Sequence, residues 1–287
     1  MLILLALGCG SSQQTVTSEF GGSDNQEACV VAEPGSYGRT SSEFFLGMKV
    51  FTMESDLQSV TSTDGFKELG MNTVSLSFAI PFDESGNITY PYNSYGAMYN
   101  SLDDGLCQMG NLIHALKSEG FAVFLSGEPH YYNPQEGEEP PRLTEFEDEA
   151  VIANFSEQLM PVLQGLAGMA ETYKVEYVAP ISEADKYLGP EAADTVMQNA
   201  KSQFSGYNGK LVWQVYGEMF RELEWEGREH RISFSGYDTV GLAVLGCDSA
   251  RVNWDTYIDS VVGWAQEDQV SEIMNVEFGC VMKPDSE

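Results

Sequence analysis

Glutamates stand at four places where a short apolar, β-branched run gives way to polar residues: Glu128 beside His130 in SGEPHYY, Glu183 near Asp185 in APISEADKYL, Glu218 in VWQVYGEMF, and Glu277 in IMNVEFGCV. Two such carboxyls can act as acid and base. Cleaving an acetal linkage between sugars needs one carboxyl protonated at working pH and another ionised, on opposite sides of the scissile bond. A single glutamate after a strand is also what an ordinary exposed loop provides, so the pairing carries the expectation, and Glu183 with Glu277 is the pair selected. Glu218 is a candidate hydrogen-bonding group for the same ligand. Other chemistries find less support. The three histidines (His114, His130, His230) are scattered, no cysteines have metal-ligand spacing, no GxGxxG or P-loop follows the first strand, and no nucleophilic Ser or Cys has a nearby His. No metal or cofactor is expected.

An alternation of strands and helices must position these carboxyls. Strands are expected at 45–52, 73–79, 122–125, 176–181, 211–216, 239–244 and 273–276. Helices with apolar residues near i, i+3, i+4 spacing are expected at 57–69, 102–119, 147–173, 192–204 and 254–266. Repeated βα units imply a parallel sheet. Two joints, FKELG-MNTVSLS and LKSEG-FAVFLS, end a helix on Gly and begin a strand at once, as an αβ loop requires. Seven strand candidates with no Pro/Gly-rich linker after Phe44 fit a closed barrel better than two domains. The expected fold class is therefore α/β, a (β/α)8 TIM barrel lacking its eighth strand in this chain; a doubly wound open sheet is the alternative. In a parallel barrel the active site forms at the C-terminal ends of the strands, and Glu183 and Glu277 end the fourth and seventh, which face each other across the mouth. Asp238 precedes the sixth strand, at the opposite end, and is expected to tie the start of that strand. His114, Trp213, Trp254 and Trp264 are expected to be structural.

A chain of 287 residues with 43% hydrophobic content can bury a sizeable core, which excludes a disordered protein. With 44 Asp and Glu against 14 Lys and Arg, its formal charge of −30 repels nucleic-acid phosphates and anionic membrane surfaces. A neutral glycan is the easier partner, and most of the acidity is expected to be solvated surface. The run MLILLALG ends at Cys9, and Ala6-Leu7-Gly8-Cys9 resembles the lipobox of bacterial lipoproteins. Residues 1–9 thus read as a lipoprotein-type signal segment with Cys9 lipidated, 10–43 as a polar linker, and 44–287 as the barrel. The run is short and no Lys or Arg precedes it, which places the true start upstream. The expected location is exported, on the cell surface or in the periplasm, touching membrane only through that lipid. With Cys9 set aside, Cys29, Cys107, Cys247 and Cys280 allow three pairings into two disulfides. Cys247 and Cys280, each just beyond a strand near the end of the chain, are the favoured pair, leaving Cys29 with Cys107.

The pieces FKELGMNTVSLSFAI, FAVFLSGEPHYY, SGYDTVGLAV and IMNVEFG resemble the second, third, sixth and seventh strands of the family 113 β-mannanases, within the clan A glycoside hydrolases. The resemblance spans residues 44–279. In that clan the acid/base Glu ends strand four and the nucleophilic Glu ends strand seven. The resemblance implies Glu183 as acid/base, Glu277 as nucleophile and His130 as a sugar-subsite residue, in a retaining hydrolase of a β-linked, mannan-like polysaccharide or oligosaccharide. The chain departs from the pattern at three places. Ser182 stands where clan members usually carry Asn, Glu128 where the family's Lys-Pro-His motif has Lys, and Leu245 where the clan has a Tyr that hydrogen-bonds the nucleophile. The last, together with the missing eighth strand, motivates an alternative, a surface lipoprotein that binds glycans with weak cleavage or none. Flat rings that pack on pyranose C–H faces are available in Tyr90, Tyr92, Tyr95 and Tyr99 after the second strand, Tyr131 and Tyr132 after the third, Tyr187 after Glu183, and Trp225 in the charged crossover 217–236. The candidate substrate-binding residues are His130, Glu128, Ser182, Tyr132, Tyr187, Glu218 and Trp225.

Overall fold

The computed structural model describes residues 29–42, 44–50, 64–94, 97–131, 149–216, 231–245 and 254–279. The expected signal segment 1–9 with Cys9, and Tyr95, Tyr132, Glu218, Trp225, Cys247 and Cys280, lie outside them. In chain order the elements are β1 (Gly47–Val50), α1 (Asp64–Glu68), β2 (Thr73–Phe82), β3 (Tyr92–Ser94), β4 (Ala97–Tyr99), α2 (Leu102–Ser118), β5 (Ala122–Tyr131), α3 (Glu149–Thr172), β6 (Tyr177–Ala179), α4 (Ala184–Gln203), β7 (Lys210–Val215), β8 (Thr239–Leu245), α5 (Trp254–Glu267) and β9 (Glu272–Gly279). Seven of the strands form one sheet in the order β1-β2-β5-β6-β7-β8-β9, every neighbouring pair parallel.

Contacts between strands that are not neighbours decide whether this sheet is open or curled. Strands stand about 4.8 Å apart, so the outer members of a flat seven-stranded sheet would be about 29 Å apart. Yet Lys49 on β1 reaches Glu277 on β9, and Tyr177 on β6 donates to Glu272 on β9 at 2.7 Å. The ring of Phe45, just before β1, meets that of Tyr177 edge-on at 5.5 Å. The sheet therefore curls on itself into an incomplete (β/α)8 barrel, with seven strands among the described residues, and the open doubly wound alternative is set aside. Phe124, Tyr177, Ala179 and Val212, with Phe45, Met274 and Val276 against them, fill the enclosed space. Filling by side chains from several strands is what makes such a barrel a packed core. Alternate residues on the same strands, among them Val123, Leu125, Val178 and Trp213, join the apolar faces of the helices in the larger outer core.

Local signals set most boundaries. Helix α2 starts after Ser101, whose hydroxyl accepts from the Asp104 amide at 3.1 Å, and is followed by Gly120 in the left-handed region (φ 88°). Helix α4 begins at Ala184, well before the expected 192. It is bent at Gly189 (φ 70°, ψ 163°), and the Gly-Pro pair there interrupts the periodicity that would otherwise reveal its first turns.

The tyrosines after β2 are a second correction. Strands β3 and β4 pair antiparallel with Tyr92 opposite Tyr99, and both rings are buried, Tyr99 stacked on Phe78 at 5.4 Å. These two rings face the core and offer no platform to a sugar. Opposed residues of a hairpin share one face, and that face is covered.

Residues 29–42, read from the sequence as part of a polar linker, are tied to the barrel at several points. Cys29 is disulfide-bonded to Cys107 of α2, Tyr37 meets His114 Nδ1 at 3.1 Å, Arg39 donates to the Val175 carbonyl at 2.8 Å, and the Thr40 amide donates to Glu176 at 2.7 Å. Glu176 also accepts from the Val123 amide and pairs with the buried ammonium of Lys117. The Cys29–Cys107 bond is the pairing left over in the sequence reading; the favoured Cys247–Cys280 pair lies outside the described residues. His114 and Asp238 have the structural roles expected of them, since Asp238 accepts from the Leu211 amide at 2.8 Å and so ties β7 to the start of β8.

Candidate active site

The C-terminal ends of β5, β6, β7 and β9 converge. Gly127 on β5 permits the approach of β6, because a Cβ there would lie 2.3 Å from the Pro180 carbonyl oxygen, and the Ser182 amide donates to the Gly127 carbonyl at 2.6 Å. The chain then turns at Glu183, which adopts a left-handed conformation (φ 50°, ψ 43°) uncommon for a residue with a Cβ. Its amide donates to the Gln214 carbonyl at 3.1 Å. Asp185 braces the turn from behind: both oxygens of its buried carboxyl accept from the Tyr216 amide at 3.1 Å. Burial pushes Asp185 well above the usual carboxylate range, with the Tyr216 hydrogen bond opposing. Strained backbone held by its surroundings is characteristic of functional sites.

Glu183 is 4% exposed. One carboxyl oxygen lies 3.4 Å from Lys186 Nζ, and the other is buried with no hydrogen-bond partner among the described residues. Burial is the main cause that pushes this carboxyl up to about 7. Lys186 and Lys49 oppose the rise, whereas the carboxylates of Glu128 and Glu277 add to it. A carboxyl in that range keeps its proton through weakly acidic conditions and can deliver it.

Glu277 reaches the same place through an irregularity in the sheet. The β8–β9 register shifts between Leu242 and Ala243, so that Leu242 stands beside Asn275 and Ala243 beside Glu277. The extra residue, Val276, packs into the barrel interior, and Glu277 turns inward as well. Such bulges re-aim side chains near active sites. Glu277 accepts from Gln214 Nε2 at 3.0 Å and pairs with Lys49 Nζ, which lies 3.5 Å from Glu128 on its other side. Burial pulls the Lys49 ammonium down, but Glu128 and Glu277 outweigh it, so its pKa stands above the ordinary value and the cation persists.

No family model matches this chain, and no curated protein sequence matches it. Solved structures do. A GH113 β-1,4-mannanase superposes with a TM-score of 0.51 at 13% identity, over 81% of this chain and 71% of that one. The GH113 β-mannanase AaManA from Alicyclobacillus acidocaldarius gives 0.50 at 16% identity, over 79% and 69%. The fold is similar to that of the GH113 β-mannanases.

Within this barrel the remaining candidates fall around the two glutamates. His130 is held neutral, pulled down to about 4 by burial first and then by Lys186 and Lys49; its Nδ1 lies 3.4 Å from the Tyr92 hydroxyl. Ser182 is buried beside Gln214, with its hydroxyl unpartnered among the described residues. Tyr187 is half-buried, edge-on to Phe82 at 6.1 Å, and the Lys186 ammonium lies over the rings of both Tyr187 and Tyr216, at 5.3 and 4.9 Å. Glu128, His130, Ser182, Glu183, Tyr187 and Glu277 are thus brought together. Sequence reasoning missed Lys49, Gln214 and Lys186. The available signal was a polar residue inside an apolar strand, as in GMKV and LVWQV, which at period two points to the barrel interior.

Proposed function

We propose that this chain is a retaining glycoside hydrolase of a β-linked polysaccharide or oligosaccharide, with Glu183 as acid/base and Glu277 as nucleophile. The observation that carries the reading is the contrast between the surroundings of two glutamates at one strand-end face. Glu183 is desolvated and pushed up to about 7, while Glu277 is held by an ammonium and an amide N–H. A carboxyl raised in this way is suited to donate a proton, and its neighbour, paired with an ammonium, to attack as a carboxylate. Glu277 attacks the anomeric carbon as Glu183 gives its proton to the departing glycosidic oxygen; the C–O bond breaks and a glycosyl ester forms on Glu277. Glu183, now a carboxylate, takes a proton from water as the water oxygen attacks the same carbon. The ester bond breaks, Glu277 is a carboxylate again, and the anomeric configuration is retained.

Glu128, His130, Ser182 and Tyr187 line the sugar subsite in this reading; Tyr132, Glu218 and Trp225, outside the described residues, are the further sugar-binding candidates. The β-1,4-mannanases of similar fold make β-mannan the first substrate to try, and an endo-acting β-mannanase the specific activity to test. Export, with lipid on Cys9, is the proposed location; the Cys29–Cys107 disulfide supports it, because such bonds persist in oxidising compartments. A second reading, glycan binding without cleavage, is favoured by Leu245 at the place of the clan's tyrosine.

The test is release of reducing ends from soluble β-mannan, β-glucan and β-galactan by the wild type, Glu183→Gln and Glu277→Gln. The expected result is hydrolysis with a retained product anomer, reduced in each variant on the order of 10³-fold or more. Undiminished turnover in both variants refutes the assignment. Saturable oligosaccharide binding without products puts the second reading ahead.

A further inference from the structure

We propose that Lys49 is a positioning residue for this hydrolysis, fixing the Glu277 carboxylate for attack through a bridge whose other end is Glu128. The inference rests on the hydrolase reading and adds to it a residue from outside the strands that carry the two glutamates. Lys49 lies 228 residues from Glu277 in sequence, on the first strand of the sheet, and its side chain is 8% exposed. Both donors to Glu277, Lys49 Nζ and Gln214 Nε2, fall on the same oxygen, Oε1. Neither engages Oε2, which is left to meet the anomeric carbon. A nucleophile needs this combination, one oxygen held and the charge retained, with the other oxygen able to form a bond.

Glu128 also faces the ammonium, at 3.5 Å, so that Lys49 Nζ is paired with carboxylates from both β5 and β9. Among the described residues, the charged groups facing this bridge are Glu128 from β5, Glu183 and Lys186 at the start of α4, and Glu277 from β9; His130 beside them is neutral. Within that set Lys49 is the cation in contact with the nucleophile. A merely structural role would be to hold β1 against β9, which any well-packed pair could do. A positioning role makes the reaction itself depend on the charge.

The experiment measures kcat and KM for the wild type, Lys49→Met, Lys49→Arg and Glu128→Gln on whichever of soluble β-mannan, β-glucan and β-galactan is turned over best. Lys49→Met is expected to lose on the order of 10²-fold in kcat with little change in KM. Lys49→Arg, which keeps the charge, is expected to recover most of that loss. A wild type that hydrolyses and needs Glu277, with Lys49→Met at full kcat, overturns this inference alone. A wild type silent on all three glycans overturns the hydrolase reading and this inference with it. Should Lys49→Met fail to fold, Glu128→Gln decides: a lowered kcat is expected from the loss of one end of the bridge, and an undiminished kcat overturns the proposal.

Discussion

At the scale of single residues, Glu183 combines a strained backbone, a carboxyl oxygen with no partner among the described residues, and two carboxylates whose charges discourage its own. Its proton is needed for the first step, so kcat/KM is expected to fall as pH rises through about 7. A pH profile whose basic limb lies near the ordinary glutamate value of 4.5 would contradict that role. The same shift has a consequence for stability. A carboxyl whose folded pKa is raised binds more protons in the native state, so stability declines as pH rises from about 4.5 through about 7 and the cost is complete above that. Glu183→Gln removes the cost. Urea denaturation is expected to find this variant more stable than the wild type at pH 8, by up to about 3 kcal/mol, with no gain at pH 4. Loss of activity with a gain of stability is the signature of a group kept for chemistry at the expense of the fold.

At the scale of elements, the site depends on how closely β5 and β6 approach. Gly127→Ala would drive a methyl group against the Pro180 carbonyl, which is backbone and cannot swing aside. The substitution is expected to destabilise by about 1–3 kcal/mol, and to lower kcat because Ser182 and Glu183 follow directly. A variant with wild-type stability and rate would mean that the two strand ends are looser than described. Residues 29–42 form a tether that runs from α2 to the strand starts. The Cys29–Cys107 bond spans 78 residues, and replacing both cysteines by Ser is expected to lower stability by up to about 4 kcal/mol through the freed chain entropy of the unfolded state. Since the bond lies on α2, and Arg39 and Thr40 of the same segment contact Val175 and Glu176 just before β6, kcat of the folded variant should be unchanged. A matching drop in kcat at a temperature where the variant is fully folded would link the tether to the site.

At the scale of the whole molecule, a charge of −30 spread over 287 residues means that compaction brings like charges together. Added salt shortens the screening length from about 10 Å at 0.1 M to about 3 Å at 1 M. The melting temperature is therefore expected to rise with sodium chloride over that interval, and a flat response would show that the acids are too dispersed to repel. Three cations stand beside buried or half-buried carboxyls. Lys117 neutralises Glu176 at the strand starts, and Lys49 and Lys186 stand among the site carboxyls.

The order of the strands and helices, the Gly-ended joints into β2 and β5, and the presence of a glutamate at the ends of the fourth and seventh barrel strands were determined by the sequence itself. These are local properties, set by periods of two and 3.6 residues and by capping groups a few residues away. The same locality hid the early start of α4, because Gly189 and Pro190 break the period, and turned Tyr92 and Tyr99 into expected sugar platforms when their shared face is buried. Only the tertiary structure decided that the sheet curls, that Lys49 and Gln214 converge on one oxygen of Glu277, and that Glu183 titrates near 7. Desolvation and Coulomb energy depend on distance through space, and groups 228 positions apart in the chain become neighbours only when the barrel forms.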